Sequence, residues 1–264
     1  MSSLLKWALL TFVVLTTGCA TMGTHTNHPP ALTLNELKSK MNLSMSDIET
    51  LRGEARISYF GPQGRLKGTV TIAAARPGSF RYNVLGPHGG VIEAFATDGR
   101  ELQVLKLLET RYLYGPASAD TLDRLMAFAP LNLDSAGWVG LLFGMVTIPE
   151  GASLASGQRH GEVEVSWQVE NRTIRLGVNE SSGTLERLRM MEGETLVSEV
   201  IISERDGRGL PAALEMRAPA AKVELEFRLR EVEVGVTFAP GTFYIEPPAG
   251  FRAEYVGTSR PPVD

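Results

Sequence analysis

Oily side chains recur at every second position along most of this chain, a rhythm that predicts β-strands with one apolar and one charged face. Leu51, Gly53, Ala55, Ile57 and Tyr59 alternate with Arg52, Glu54, Arg56 and Ser58. Beyond the turn Gly61-Pro62-Gln63-Gly64 the alternation resumes through Leu66, Gly68, Val70, Ile72 and Ala74. Pro77-Gly78 turns the chain into Phe80, Tyr82 and Val84, and a Gly-rich loop from Gly86 to Gly90 leads to Val91–Thr97. Asp98-Gly99 then leads to two short strands ending at Tyr114. Farther on, Val163, Val165, Trp167 and Val169 alternate with glutamates and polar residues, as Val223, Leu225, Phe227 and Leu229 do with Glu224, Glu226, Arg228 and Arg230. Roughly ten such strands, joined where they are consecutive by hairpin-length connections, predict a single antiparallel sheet with one solvated face.

Helical spacing appears in two places. Thr33 and Glu36 form a capping box, and Leu34, Leu37 and Met41 share one face of the helix it starts. From about 118 to 145 an insert interrupts the strands: Leu122, Leu125, Met126 and Ala129 recur at helical spacing and Pro130 stops that helix. Asp134 caps a second, striped by Trp138, Leu141, Leu142 and Met145. The fold class expected is mainly β with α.

A sheet of this kind must cover its oily face by closing, by pairing with a second sheet, or with helices, and the helices here are few and short. A curved, incompletely closed sheet lidded by them would hold an apolar cavity. Ile57, Val70, Ile72, Tyr82, Trp167 and Phe227 on strands, and Leu122, Trp138, Leu141 and Leu142 on helices, are the candidates to line it. The same stripes also fit a dry core, because alternation looks alike in both cases.

The ends of the chain add a location. Met1 to Lys6 carry one positive charge, and Trp7 to Thr17 are apolar apart from threonines, a run of about 11 residues that would extend ~16 Å as a helix against a ~30 Å bilayer core. It reads as an export signal. Leu15-Thr16-Thr17-Gly18-Cys19 resembles the bacterial lipobox, which implies cleavage before Cys19 and lipid on that cysteine. Two or more acyl chains hold a protein on a membrane essentially permanently. Ala20 in place of Asp, by resemblance to the enteric sorting rule, implies the periplasmic face of the outer membrane. Residues 1–18 are then signal peptide, 19–32 a lipidated tether containing His25, His28, Pro29 and Pro30, and 33–264 the domain. Removing the signal takes away one lysine and no acid, so the net charge falls from −4 to −5, and nothing suggests nucleic acid as a partner.

With a single cysteine, no disulfide forms within the chain. There is no Gly-x-Ser-x-Gly elbow, P-loop or His-Glu-x-x-His, and His88 and His160 stand isolated. No catalytic residue, metal site or cofactor is expected.

Four segments carry a resemblance over most of the mature chain. They are Leu51-Arg52-Gly53-Glu54-Ala55-Arg56-Ile57, Arg81-Tyr82-Asn83-Val84-Leu85-Gly86, Pro130-Leu131-Asn132-Leu133 with Trp138 to Gly144, and Leu210-Pro211-Ala212-Ala213-Leu214-Glu215-Met216. In this order behind a lipobox, the sequence resembles the LolA/LolB superfamily and, within it, the LolB-type lipoprotein receptors of the outer membrane. The resemblance implies an eleven-stranded half-barrel with helices over its concave face. It implies a monomer that binds the acyl chains of lipoproteins delivered by a periplasmic LolA-like carrier. Leu85 and Gly86 match the protruding loop that inserts into the membrane. Val84 stands where the family has proline, Pro87 and His88 enlarge the loop, and Phe243 to Val256 extend beyond the usual end. Two other readings stay open: a superfamily lipoprotein that binds another lipid or glycolipid during envelope export, and a structural envelope lipoprotein with a dry core.

Overall fold

The oily faces of the strands merge into one surface. In the computed structural model, which describes residues 30–44, 47–62, 64–125, 131–157 and 159–257, fourteen strands form a single curved sheet. One wing is built in chain order from β1 (Thr50–Gly61), β2 (Gly64–Ala75), β3 (Ser79–Leu85), β4 (Val91–Thr97), β5 (Glu101–Lys106) and β6 (Arg111–Pro116). The other runs through β7 (Ser153–Ser156), β8 (Glu162–Val169), β9 (Arg172–Asn179), β10 (Leu185–Glu192), β11 (Thr195–Arg205), β12 (Pro211–Ala218) and β13 (Val223–Val234). β1 and β13 join the wings, and β14 (Arg252–Tyr255) and β7 are the two free edges, so the sheet does not close.

The family resemblance implied eleven strands. β7 and β14 have four residues each, too few to show a period, and β14 pairs with β6 in parallel through a long return of the chain. That return crosses the outer face of the first wing. The Tyr112 hydroxyl donates to the Ile245 carbonyl at 2.9 Å, and burial pushes the Tyr112 pKa up to about 12. Arg81 donates to the Thr242 carbonyl at 3.0 Å, and Ile245 and Phe251 pack on Ala94, Ala96 and Tyr112. Arg111 then clasps Glu254 through two bonds of 3.0 and 2.9 Å. The segment beyond the family's usual end is therefore a strap on the convex side as far as Phe251, and beyond it becomes the edge strand β14.

Three α-helices are described: α1 (Leu34–Ser44), α2 (Ala119–Leu125) and α3 (Ser135–Leu142). The insert holds two, as its pattern predicts; Met126, Ala129 and Pro130 lie outside the described residues. Asp134 caps α3 by accepting from the Gly137 N–H at 2.9 Å. α3 is apolar on both sides because it is buried on both: Trp138 and Leu141 belong to one core cluster, Val139, Leu142 and Phe143 to the other.

The capping box of α1 forms in full. The Thr33 N–H donates to Glu36 Oε2 at 2.7 Å, and the Glu36 N–H donates to Thr33 Oγ1 at 3.3 Å. Leu37 and Met41 are buried beneath it. The α1 backbone passes so close to Gly183 that a Cβ there would sit 2.8 Å from Lys40 Cβ and 3.1 Å from the Met41 nitrogen, and Gly183 has φ +71 besides. The Thr33 backbone N–H, then its hydroxyl, hold the Glu36 carboxyl below its usual range. A carboxylate with a depressed folded pKa stabilises above its unfolded value and loses that contribution as pH falls through the folded one. We expect amide exchange in the first turn of α1 to quicken several-fold in Thr33→Ala near neutral pH, and the wild-type advantage to shrink at acid pH to what the Glu36 N–H bond to the Thr33 hydroxyl supplies. Equal exchange in both proteins at neutral pH would show that packing alone holds the helix.

Candidate functional site

Register explains why the concave face carries an unfilled space. On β1 and β2, Tyr59 lies opposite Leu66, Ile57 opposite Gly68, Ala55 opposite Val70 and Gly53 opposite Ile72. On the other side of β1, Tyr59 and Ile57 face Leu225 and Phe227 of β13. Gly68 contributes no side chain at the centre of this floor. A Cβ built on it would rest 3.5 Å from Ile57 Cγ1, in ordinary contact, with room above. α3 passes over the floor and supplies Trp138, Leu141 and Leu142 as a roof.

The space between them is an apolar cavity of about 320 Å³, within the range of roughly 300–1,000 Å³ usual for small-ligand sites. Leu66 lines it and is 58% exposed, so the cavity reaches solvent at the end of the sheet where the β1–β2 hairpin turns. The Trp138 Nε1–H is buried without an acceptor among the described residues. The Tyr82 hydroxyl donates to Glu93 Oε1 at 3.1 Å, and its ring stacks on Phe95 at 5.2 Å between centroids. Burial, and then the adjacent Glu93 charge, push the Tyr82 phenol well above its ordinary pKa. A second cavity of about 240 Å³ begins on the far side of the Tyr82–Glu93 pair, over β3 to β6 and under α2.

Seven of the ten lining candidates read from the sequence meet here: Ile57, Val70, Tyr82, Trp138, Leu141, Leu142 and Phe227. Three do not. Ile72, 4% exposed, is packed with Val139 and Phe143 where α3 closes onto the floor. Leu122 is buried in the core shared by α1 and α3. Trp167 lines a separate, half-polar groove of about 540 Å³ with Glu150 and Gln168. The cavity also uses residues that the reading left out, among them Tyr59, Leu66, Val84, Leu214 and Met216. Glu93 carried the one visible signal: it alternates in phase with Phe95 and Thr97, a carboxylate on an oily stripe.

Leu85 lies at the end of β3, half-buried and alternate to cavity-lining Val84, next to an irregularity in the β3–β4 pairing. Its loop is tied by hydrogen bonds from the Gly86 N–H to the Gly90 carbonyl at 2.8 Å and from the Gly89 N–H to the Gly86 carbonyl at 2.9 Å. The leucine that projects is Leu108, 83% exposed in the 3-10 turn between β5 and β6. Hairpins β1–β2, β3–β4 and β5–β6 all turn at the same end of the antiparallel wing, and there Phe60, Leu66, Val91, Leu107 and Leu108 are exposed. Cys19, His25 and His28, with the signal segment and most of the tether, lie outside the described residues, and no described helix is long and apolar enough to cross a membrane.

No protein-family model and no curated relative matches the sequence. Solved structures do match the fold. A LolA superfamily protein from Nitrosomonas europaea superposes with a TM-score of 0.55 at 12% identity, covering 82% of this chain and 99% of its own. A DUF1329 family protein from Desulfovibrio piger reaches 0.56 at 11% identity, with coverage of 79% and 94%. A domain from Vibrio parahaemolyticus, described as an outer-membrane lipoprotein-sorting protein, reaches 0.54 at 6% identity, with coverage of 79% and 95%. The architecture is LolA-like: one large curved, unclosed sheet with helices across its hollow. At these identities the likeness is one of fold.

Proposed function

We propose that this chain is a lipid-anchored envelope protein that shelters acyl chains in the concave cavity and passes lipoproteins from a periplasmic LolA-like carrier into the outer membrane. The apolar cavity over β13, β1, β2 and β3, open at Leu66, carries this reading. The LolA-like fold and the lipobox at Cys19 support it. Transfer needs no catalytic residue, because each buried methylene contributes ~0.8 kcal/mol and the tighter of two apolar cavities draws the chain.

Membrane contact is assigned to the hairpin end of the first wing. The Leu85 loop carries Pro87 and His88 between its glycines, whereas Leu107 and Leu108 stand out from the adjacent turn, where exposed apolar groups enter a bilayer surface readily. Leu108→Glu is expected to lower delivery of a test lipoprotein to vesicles at least tenfold while acyl-probe uptake stays at the wild-type level, and Leu85→Glu to do so less. At ~25 cal/mol per Å² of buried apolar surface, one leucine contributes about 1.5–3 kcal/mol to membrane contact. Undiminished delivery by both variants would exclude the receptor role.

A further inference from the structure

The concave face changes character between β3 and β5. On the side of β2 and β3 it is Val70, Phe80, Tyr82 and Val84, but across the strands from Val84 the facing positions are Glu93, then Lys106, then Arg111. These three line the second cavity together with Arg124 of α2, and Tyr82 and Glu93 belong to both cavities. An oily pocket and a charged one therefore meet at a shared wall two residues wide.

Three cations and one carboxylate face the second cavity, and the cations differ in how far they are already engaged. Arg111 is committed to Glu254 by two hydrogen bonds and to Glu109 at 3.0 Å. Arg124 donates to two backbone carbonyls, of Asp120 at 3.2 Å and of Val256 at 2.6 Å, which leaves its charge unmatched by any carboxylate in those bonds. The Lys106 ammonium has Glu109 at 3.6 Å, beyond a good hydrogen bond, and retains donors to offer. With Arg124 above it and Glu93 on the oily side, Lys106 is placed to meet an anion that arrives with its apolar part already in the first cavity.

We infer that the second cavity is a head-group subsite, and that the protein's ligand is an amphiphile whose acyl chain fills the first cavity while an anionic phosphate or carboxylate head sits against Lys106 and Arg124. This rests on the acyl-binding reading above and sharpens it. A lipid whose head is neutral would offer no charge to the donors that Lys106 and Arg124 keep open. Glu93, hydrogen-bonded to Tyr82, marks the boundary and turns the head away from the oily side by like-charge repulsion.

Binding of two probes with the same palmitoyl chain, lysophosphatidic acid and monopalmitoylglycerol, to the full mature chain tests this. The anionic probe is expected to bind about tenfold more tightly, the scale of one hydrogen bond to a charged group, and its advantage to shrink with added salt. Lys106→Gln should remove the advantage and leave the monopalmitoylglycerol affinity as it was, and Lys106→Arg should retain it. Equal affinities, or a Lys106→Gln variant that weakens both probes alike, would overturn the head-group site and leave the acyl cavity standing. Inorganic phosphate that binds alone and releases the anionic probe at millimolar concentration would assign the site to a free anion and overturn the amphiphile. If neither probe binds, the acyl-binding reading falls and the inference falls with it.

Discussion

Replacing Gly68 by phenylalanine is expected to abolish acyl binding without unfolding the protein. Gly68 lies on the concave floor opposite Ile57, and a Cβ there meets only Ile57, at 3.5 and 3.6 Å. A longer side chain therefore grows into the cavity of about 320 Å³. Displacing even three methylenes of a bound chain costs about 2.4 kcal/mol, roughly fifty-fold in affinity. Stability should hold or rise, because glycine inside a strand costs about 0.5–1 kcal/mol relative to alanine. Uptake of a fluorescent fatty-acyl probe and a thermal melt, on the same sample, read both quantities. A filled interior would give the opposite pair of results: overpacking would lower stability by about 1–3 kcal/mol, and probe uptake would be absent in the wild type as well. Gly68→Phe with wild-type uptake would place the acyl chain elsewhere.

The second large effect is expected on the convex face, away from the cavity. Arg187 Nη2 lies 2.6 Å from Glu162 Oε1, with the two side chains only 7% and 4% exposed, and Glu199 stands 4.0 Å from Arg187 Nε. The Glu162 carboxyl reaches across Gly177, where an added Cβ would approach it to 2.8 Å. Arg187→Ala would leave that carboxylate buried without its cation, a loss of about 3–5 kcal/mol from a total of roughly 5–15. The denaturation midpoint should fall accordingly, while probe affinity of the folded protein is unchanged because no member of the pair lines the cavity. Replacing both residues by apolar ones of similar volume should recover most of the loss. A decrease below about 1 kcal/mol in Arg187→Ala would mean that solvent reaches Glu162 once the guanidinium is gone.

Much of the fold is legible in the alternation itself. Leu51 through Ala74 and Val223 through Leu229 announce which face is oily, and Thr33, Glu36 and Asp134 announce where helices begin. The fingertip at Leu107-Leu108-Glu109 was not legible. Two short strands are expected between Gly99 and Tyr114, but this segment contains neither glycine nor proline to mark where one ends, and the chain reverses there with Thr110 at φ 51. Leu85 drew attention because of the glycines after it, whereas the side chain that projects most belongs to Leu108. The strap that ends in β14 was equally silent, since its partners Arg81, Tyr112 and Arg111 lie more than a hundred residues earlier.

Within the lining set the division is sharper. Ile57 and Ile72 carry the same pattern on neighbouring strands, but one borders open space and the other is sealed beneath Val139 and Phe143. Local sequence sets which way a side chain points, because successive residues of a strand must face opposite sides of the sheet. It does not set what stands opposite. That depends on how far the fourteen strands curve and where α3 comes to rest, which follow from contacts between residues distant in the chain. The sequence alone thus determined a sheet with an oily face and a helical insert to cover it. The tertiary structure decided that the cover is incomplete, and that the remaining hollow borders a row of charges at Glu93, Lys106 and Arg111.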